Sequence, residues 1–214
     1  NTTTAPITAT ITVTPVTTDC PGAAKIFTII VNPTPDVAQP ANQNLCAGSM
    51  TSAINFSGAV SGTVYNWTNT NPSIGLAASG SGNIASFAAI TGVSATSTAT
   101  VTVSPIANGC PGTPKSFTIT VSPIATVNQP ANQVLCNGST TSAVAFTGLV
   151  PGTIYQWTNT NANIGLATSG SGDINAFTAT NTTTAPITAT ITVTPVTTDC
   201  PGAAKVFTIT VNPT

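Results

Sequence analysis

The chain repeats itself with a step of ninety residues, and no insertion or deletion breaks the register. Cys20, Cys110 and Cys200 mark the step, and residues 1–34 reappear at residues 181–214 with only two substitutions. A fixed internal period of this kind is the signature of a repeat array. We therefore expect two full repeats behind the tail of a third, an organisation that serves reach, stiffness or multiplicity more often than chemistry.

Apolar residues alternate with threonine in each repeat, and this pattern predicts β-strands. In residues 7–14 every second side chain is apolar and the others are Thr, so the segment is expected to be a strand with one buried face. Residues 25–32 place Phe27 and every second residue after it on one apolar face, which completes an antiparallel hairpin. The Cys20-Pro21-Gly22 sequence between them predicts a turn in which Gly22 supplies a positive φ.

The copies of this hairpin agree on one face and differ on the other. The constant face carries a phenylalanine in every copy, namely Phe27, Phe117 and Phe207. The varying positions, such as Ile26, Ser116 and Val206, share the opposite face. This is the behaviour of a buried face and an exposed face. We therefore predict that the three phenylalanines belong to the core.

Further short strands are predicted upstream in the first full repeat, with counterparts ninety residues later. They cover residues 37–46 with a kink at Pro40, 52–57, 63–68, 74–77 and 84–87, and a Gly/Ser loop is expected at residues 79–82. Short strands at this spacing favour a β-sandwich, and a large aromatic on the third strand matches the core Trp of immunoglobulin-like domains. The core aromatics of that kind are Trp67, Trp157, Tyr65 and Tyr155. The predicted fold class is all-β, in tandem immunoglobulin-like β-sandwich repeats of ninety residues.

The repeats are expected to run over residues 35–124 and 125–214. The linkers between successive repeats are short and close to proline, so we expect them to allow little motion of one repeat relative to the next. Residues 1–34 supply only two strands of a truncated repeat, too few to be stable alone. They must lean on the next repeat or be completed by neighbouring chain, and we expect the sequence to be a window from a longer polypeptide.

The charge inventory excludes several classes of function. The chain has four acidic side chains, three basic ones and no His, so only 3% of it is charged, against about 25% in ordinary domains. Three Lys spaced one repeat apart make no phosphate-binding patch, so nucleic acid is not an expected partner. No run of about 20 apolar residues exists to span a membrane. Solubility must depend on Thr, Ser and Asn, which suits the outside of a cell.

Catalysis, cofactors and metal binding are not expected, because the residues that carry them are missing or unmatched. Acid–base chemistry lacks His and Glu. Asp36 becomes Thr126 in the next copy and Asp173 replaces Asn83, so no carboxylate cluster recurs to hold calcium. The acidic residues beside two of the tip cysteines, Asp19 and Asp199, are interpreted as turn residues.

A known family carries a similar set of motifs. Gln39-Pro-Ala-Asn-Gln, Tyr65-Asn-Trp67 and Cys110-Pro-Gly112, with residues 74–80 and 117–121, resemble the PKD-like, immunoglobulin-like repeats of very large Bacteroidetes surface proteins, including gliding-motility adhesins. The resemblance covers the whole chain and implies secretion to the cell surface and a role in a fibrous adhesin or filament. The Trp-Asp-Phe-Gly signature of classical PKD domains is absent, so polycystin-type functions are not implied.

The cysteines allow three arrangements. In an exported protein they could pair across a repeat boundary, as Cys46 with Cys200, or within repeats, as Cys46 with Cys110 and Cys136 with Cys200, or stay free. In a sandwich, Cys46 and Cys110 lie at opposite ends, separated by several residues at about 3.3 Å each, beyond the Cα separation of about 7 Å that a disulfide tolerates. The hairpin tip with Cys200 faces Cys46 instead, so the pairing across the boundary is favoured.

Three functions fit these features to different degrees. A structural stalk or filament of a surface adhesin, with neighbouring repeats and lateral filaments as partners, accounts for the array, the low charge and the paired cysteines. An array that binds polysaccharide would need exposed aromatics, and Trp67 and Tyr65 are its main candidates. Ice binding through rows of Thr would need a flat sheet, whereas sandwich sheets twist.

Overall fold

The computed structural model describes residues 1–197 and 200–214, and these residues form an all-β protein. Its strands are β1 (Ile7–Val13), β2 (Lys25–Val31), β3 (Gln43–Cys46), β4 (Val64–Asn69), β5 (Ser79–Ser81), β6 (Ser97–Ala107), β7 (Cys110–Pro111), β8 (Lys115–Ser122), β9 (Gln133–Cys136), β10 (Ile154–Asn159), β11 (Ser169–Ser171), β12 (Ile187–Val196) and β13 (Lys205–Asn212). Two short 3₁₀ helices occupy Pro72–Ile74 and Ala162–Ile164. Among the described residues, no helix has the length and apolar character needed to cross a bilayer.

The strand order is the same in both full repeats. The sheet of the second repeat has the order β11-β10-β12-β13-β9, and that of the first has the order β5-β4-β6-β8-β3, with β7 paired to β6. In the second repeat all pairs are antiparallel except β13 with β9, which run parallel. β1 and β2 form a separate two-stranded sheet, so the predicted antiparallel hairpin is confirmed.

The chain divides into two compact units that do not follow the predicted repeats residue by residue. One consists of Asn1–Gln43, Met50–Ala88 and Thr98–Thr120, and the other of Asn44–Ser49, Ala89–Ser97 and Val121–Thr214. The repeat boundaries themselves stay a sequence-based prediction.

The second layer of each sandwich consists of segments joined by isolated bridges instead of continuous strands. The predicted strands 52–57 and 84–87 are wrong in this respect, since they meet only at the bridge between Ile54 and Ile84. The Asn83 side chain accepts the backbone N–H of Phe56 at 2.9 Å, which takes the donor that a ladder would have used. Both segments nevertheless point apolar side chains inward, since Ile54 and Phe56 of the first and Ile84 of the second are buried.

The predictions for residues 74–77 and 79–82 are also wrong. Ile74 ends a 3₁₀ helix, and Gly75 follows in the left-handed region at φ 98°, which prevents a strand there. The expected Gly/Ser loop is instead β5, which pairs with β4. Gly80 allows this pairing, because a Cβ at this position would lie 2.2 Å from the Trp67 ring that covers it.

The strand predicted from residue 37 begins only at Gln43, because proline interrupts the pairing before it. Side chains replace the missing backbone bonds: the Gln39 amide donates to the Ser116 carbonyl at 2.8 Å, and the Asn42 side chain accepts from the Thr118 N–H at 2.8 Å. Gln129 and Asn132 repeat both contacts in the second repeat. The repeated Gln-Pro-Ala-Asn sequence therefore docks this segment onto the last strand of its own repeat.

The core of the second repeat lies between its sheet and the opposite layer. It consists of buried residues from every part of the repeat, among them Val144, Phe146, Trp157, Ile164, Ile174, Ile191, Phe207, Ile209 and Val211. Phe117 and Phe207 are each 1% exposed, and Trp67 and Trp157 are 8% and 7% exposed. Tyr65 and Tyr155 are half-buried, and each ring lies beside a buried phenylalanine, Phe56 or Phe146.

The placement of Phe27 in a core is wrong. Its side chain is 51% exposed, whereas Phe207 at the matching position is 1% exposed. Both hairpins have the same pairing register, so local geometry does not explain the difference. Phe27 is exposed because nothing in the described residues forms a second layer over β1 and β2.

The glycine of the Cys-Pro-Gly turn has a different role from the predicted one. Gly22, Gly112 and Gly202 do not have positive φ; in the second copy Asn108 and Gly109 do. A Cβ on Gly112 would lie 1.9 Å from the Pro35 carbonyl oxygen, and one on Gly202 would lie 1.7 Å from that of Ala125. Gly112 and Gly202 are therefore needed because the backbone of the incoming segment passes too close for any side chain, whereas a Cβ on Gly22 would meet the Pro15 ring at 2.6 Å.

The matched pair Phe207 and Phe27 provides a stability test. We expect Phe207→Ala to lower the free energy of unfolding by about 3–5 kcal/mol, since it removes a fully buried ring and leaves a cavity. Phe27→Ala should cost less than about 1 kcal/mol, because that ring is already half in solvent. Urea unfolding followed by tryptophan fluorescence would measure both, and equal losses would contradict the assignment of the two environments.

Candidate functional site

A disulfide joins Cys46 to Cys200, with the two Cα atoms 5.6 Å apart and a sequence separation of 154 residues. Cys46 belongs in sequence to the repeat predicted for residues 35–124, and Cys200 to the next one. Both lie in the same compact unit, to which the first repeat contributes Asn44–Ser49. The structure thus contains the pairing across the predicted boundary.

Backbone hydrogen bonds hold Cys46 at the end of β3. The N–H of Ala47 donates to the Ser122 carbonyl at 2.9 Å, and that of Gly48 donates to the Ala89 carbonyl at 2.7 Å. The N–H of Ser49 closes a tight turn onto the Cys46 carbonyl at 3.0 Å, with Gly48 at φ 82°. The backbone at Cys46 is therefore fixed by hydrogen bonds on the turn that follows it.

Hydrogen bonds also hold Cys200, and its side chain is fully buried. Its N–H donates to the Thr197 hydroxyl at 3.2 Å, and that hydroxyl donates to the Cys200 carbonyl at 3.0 Å. The same carbonyl accepts the N–H of Ala125 at 3.2 Å, which ties the turn to the start of its own repeat. The expected turn role of Asp199 concerns a position outside the described residues.

The pairs within repeats are absent from the structure. Cys110 and Cys136 are free thiols, the first half-buried and the second exposed, and Cys20 is an exposed free thiol. Cys136 occupies the position of Cys46 one repeat later, and Cys110 that of Cys200 one repeat earlier. Cys20 and Cys200 lie in identical local sequences, residues 17–25 and 197–205, yet the first is free and the second bonded, so the residue that lies opposite decides the outcome.

The tryptophans do not form a platform on which a sugar ring could stack. Their exposed fractions are below a tenth, and each ring face lies on a glycine of the neighbouring strand, Gly80 or Gly170. The indole N–H groups donate to the carbonyls of Gly82 and Gly172, both at 3.1 Å. Every part of the indole that could recognise a sugar is thus engaged within the sandwich.

Rows of threonine cover the outer face of the sheets, and several of their hydroxyls bond across the strands. The Thr188 and Thr210 hydroxyl oxygens are 2.9 Å apart, and those of Thr102 and Ser116 are 2.9 Å apart. Cross-strand bonds of this kind stabilise a sheet. They also occupy hydroxyl groups that an ice-binding surface would present to water.

The unmatched acidic residues share one structural task that the sequence pattern did not reveal. The Asp36 carboxylate accepts the N–H of Ala59 at 2.7 Å, and the Thr126 hydroxyl accepts that of Leu149 at 2.8 Å in the next copy. The Asp173 carboxylate accepts the Phe146 N–H at 2.9 Å, as Asn83 does in its own repeat. The sequence did contain a signal for this role, because Asp36 and Thr126, like Asn83 and Asp173, are all short side chains with an oxygen that can accept a hydrogen bond.

No group of three or more His, Cys, Asp or Glu side chains within residues 1–197 and 200–214 could hold a metal ion. The acidic side chains do influence the tyrosines. Burial raises the pKa of Tyr65, and the negative charge of Asp36 raises it further, while a hydrogen bond with Thr63 opposes both. Burial and then the charge of Asp173 raise the pKa of Tyr155.

No protein-family model matches the chain, and no curated protein matches it. Among solved structures it is similar to the Ig1-2 module of the Drosophila receptor protein tyrosine phosphatase DLAR, at 13% identity over 83% of this chain and 98% of that one, with a TM-score of 0.30. It is also similar to the I9-I11 tandem of titin, at 12% identity over 99% of this chain and 95% of that one, with a TM-score of 0.32. A third similar structure is EC22-24 of mouse cadherin-23, at 11% identity over 97% of this chain and 74% of that one, with a TM-score of 0.37. The fold assignment is based on the strand order and core described above.

Tryptic mapping without reduction tests the disulfide directly. Cleavage after Lys25 and Lys115 puts Cys46 and Cys110 in one peptide, and cleavage after Lys205 puts Cys136 and Cys200 in another. The Cys46–Cys200 bond should therefore give one linked species of the two peptides after the free thiols are alkylated. Pairs within repeats would instead give two separate, internally bonded peptides, and this result would contradict the structure.

Tyrosine absorbance against pH tests the environment of Tyr65 and Tyr155. Because both pKa values are raised in the fold, the neutral phenols contribute stability below about pH 10 that is lost as the pH rises through the folded pKa. The folded protein should thus titrate above pH 10, and protein in urea close to it. Asp173→Asn, which keeps the acceptor oxygen, should lower only the Tyr155 midpoint; no change would exclude the charge effect.

Proposed function

We propose that the chain is a segment of the stalk or filament of a large secreted bacterial surface adhesin, in which it gives reach and mechanical stiffness during gliding or surface attachment. Its partners in this role are neighbouring repeats of the same polypeptide and other filaments that lie beside it. The proposal places the protein outside the cell and assigns it no reaction.

The observation that carries the proposal is the disulfide across the predicted repeat boundary. It closes a loop of more than 150 residues, for which loop-closure entropy alone corresponds to a stabilisation on the order of 5 kcal/mol. A chain pulled from its ends cannot extend the residues between Cys46 and Cys200 while the bond is intact. A covalent limit of this kind is useful in a load-bearing element.

Two further features support an exported, load-bearing role. Disulfides form and persist in oxidising compartments, which agrees with secretion. The resemblance of the repeat motifs to those of Bacteroidetes surface proteins points to the same location. Long strand pairs, such as β12 with β13 over seven residue pairs, also share a lengthwise load over several hydrogen bonds.

Carbohydrate binding, the first alternative, receives no support from the aromatic residues. Its main candidates were Trp67 and Tyr65; the Trp67 ring is buried against Gly80, and the Tyr65 ring is half-buried beside Phe56. Ice binding depends on free hydroxyl rows, and several of these hydroxyls bond to each other. Neither alternative has a specific observation in its favour.

Single-molecule pulling through the two termini tests the proposed mechanical role. We expect the oxidised protein to extend about 500 Å less than the Cys200→Ser variant, since the residues between the cysteines remain folded or looped. Force peaks should precede full extension, and the protein should refold on release, as a stalk that works repeatedly requires.

The control variant is Cys110→Ser, which removes a half-buried thiol that takes no part in the disulfide. It should extend like the unaltered oxidised protein. An oxidised protein that extends as far as Cys200→Ser, or that lengthens without any force peak, would rule out the load-bearing role.

A further inference from the structure

Asparagine followed by glycine occurs twice in the chain, as Asn108-Gly109 and as Asn137-Gly138. In such a pair the backbone nitrogen of the glycine can bond to the amide carbon of the asparagine side chain, which closes a succinimide ring. Glycine favours this step, because it has no side chain to hinder the approach and its backbone rotates freely. The sequence thus contains two candidates for the same covalent change, and the fold determines how readily each of them reacts.

The first pair forms the two-residue turn that joins β6 to β7, with Ala107 opposite Cys110 across it. Asn108 and Gly109 have φ values of 48° and 77°, both in the left-handed region. Asn-Gly is the sequence that such hairpin turns favour, since asparagine tolerates this region better than most residues and glycine has no steric penalty there. Both residues are exposed, so water and hydroxide reach them.

The reacting groups of this turn are not held in place by hydrogen bonds. Within residues 1–197 and 200–214, neither the side-chain amide of Asn108 nor the N–H of Gly109 has a hydrogen-bond partner. The backbone carbonyl of Asn108 accepts the Asn32 side-chain amide at 3.3 Å, which is a long hydrogen bond and leaves the reacting amide untouched. Only a local opening of the turn is therefore needed to bring the glycine nitrogen onto the amide carbon.

The second pair, in the turn after β9, is held at each of the corresponding groups. The N–H of Gly138 donates to the Ala179 carbonyl at 2.8 Å. The side-chain oxygen of Asn137 accepts the N–H of Asn181 at 2.9 Å, and its side-chain nitrogen donates to the Thr214 hydroxyl at 3.2 Å. Asn137 is also half-buried. Ring closure at this pair must first break these hydrogen bonds, so the fold protects it.

We propose that Asn108 is a deamidation site, at which the folded protein gains a negative charge with time, while Asn137 is protected from the same change. The Gly109 nitrogen gives its proton to hydroxide and bonds to the Cγ atom of Asn108; the C–N bond of the side-chain amide breaks, and ammonia leaves with a proton taken from water. A water molecule then adds to either carbonyl carbon of the succinimide ring, which opens to an aspartyl or an isoaspartyl residue. The net change consumes water and replaces the amide with a carboxylate. This inference goes beyond the stalk role and does not depend on it.

The modification would make the three cysteine-bearing tips alike in charge. Asp19 and Asp199 directly precede the cysteine in their copies of the turn, whereas the matching residue of the middle copy is Gly109. Deamidation of Asn108 gives that middle tip a carboxylate one position earlier. In a chain with only four acidic side chains, one further carboxylate is a large change.

The isoaspartyl product also changes the backbone, because the chain then runs through the former side chain and is longer by a methylene group. A two-residue turn sets the register of the strands that it joins. The longer turn should therefore weaken the pairing of Ile106 with Pro111 and of Ala107 with Cys110.

Ageing of the full 214-residue protein in mildly alkaline buffer tests the proposal. After reduction and alkylation, trypsin puts Asn108 in the peptide of residues 26–115 and Asn137 in that of residues 116–205, and fragment masses locate each converted residue. We expect Asn108 to convert roughly tenfold or more faster than Asn137, because the loss of even one hydrogen bond slows a reaction by about that factor. Equal rates, or faster conversion of Asn137, would overturn the proposal.

The same ageing in concentrated urea separates the effect of the fold from that of the local sequence. Both pairs are Asn-Gly, and unfolding removes the hydrogen bonds that hold the second one, so the two conversion rates should become similar. A difference that persists unchanged in urea would show that the neighbouring residues, and not the fold, protect Asn137, and would contradict the proposal.

Other repeats of the chain supply matched control variants. Asn108→Thr introduces the residue found at the matching positions 18 and 198, and Asn137→Ala introduces that found at position 47. The aged protein should form an acidic species on isoelectric focusing, at the position of Asn108→Asp, and should be labelled by an isoaspartyl methyltransferase. Asn108→Thr should lose most of both signals, and Asn137→Ala should age like the unaltered protein. Undiminished signals in Asn108→Thr would overturn the proposal.

Discussion

The burial of one apolar sheet face is the interaction on which the rest of the structure depends. In the second repeat Ile191, Phe207, Ile209 and Val211 are buried almost completely against the opposite layer. Each such side chain contributes about 1.5–3 kcal/mol when it leaves water. The opposite layer has isolated bridges instead of ladders, so it depends on this packing more than on its own hydrogen bonds. Without a second layer, the same face in β1 and β2 stays in solvent.

Side-chain hydrogen bonds do the work that regular pairing does elsewhere in β-proteins. Gln39 and Asn42 attach the segment before β3 to the last strand of its repeat, and Asn83 and Asp173 hold the segments of the second layer. No buried polar side-chain atom of the described residues lacks a partner. Neutral amides and hydroxyls thus replace charged groups both inside the fold and on its surface, which is why the chain can fold with 3% charged residues.

The sequence predicted the regular parts of the fold well and the irregular parts poorly. The hairpins, their faces and the buried Trp67 and Trp157 follow from alternation, because side chains of a strand point to opposite faces. Residues 79–82 look like a loop by composition but form β5, since the Trp67 ring needs a neighbour without a side chain. Gly22 looks like a turn residue with positive φ but is a point of close approach, which composition does not distinguish.

The sequence by itself determined the ninety-residue period, the strands and the face of each strand that is apolar, because these are properties of residues close together in the chain. Only the tertiary structure decided which cysteines bond and which apolar faces are buried. Cys46 pairs with Cys200 while Cys136 stays free, and Phe207 is buried while Phe27 is exposed, although the local sequences nearly match. The physical reason is that bonding and burial require a partner at short distance, and that partner comes from residues far away in the sequence.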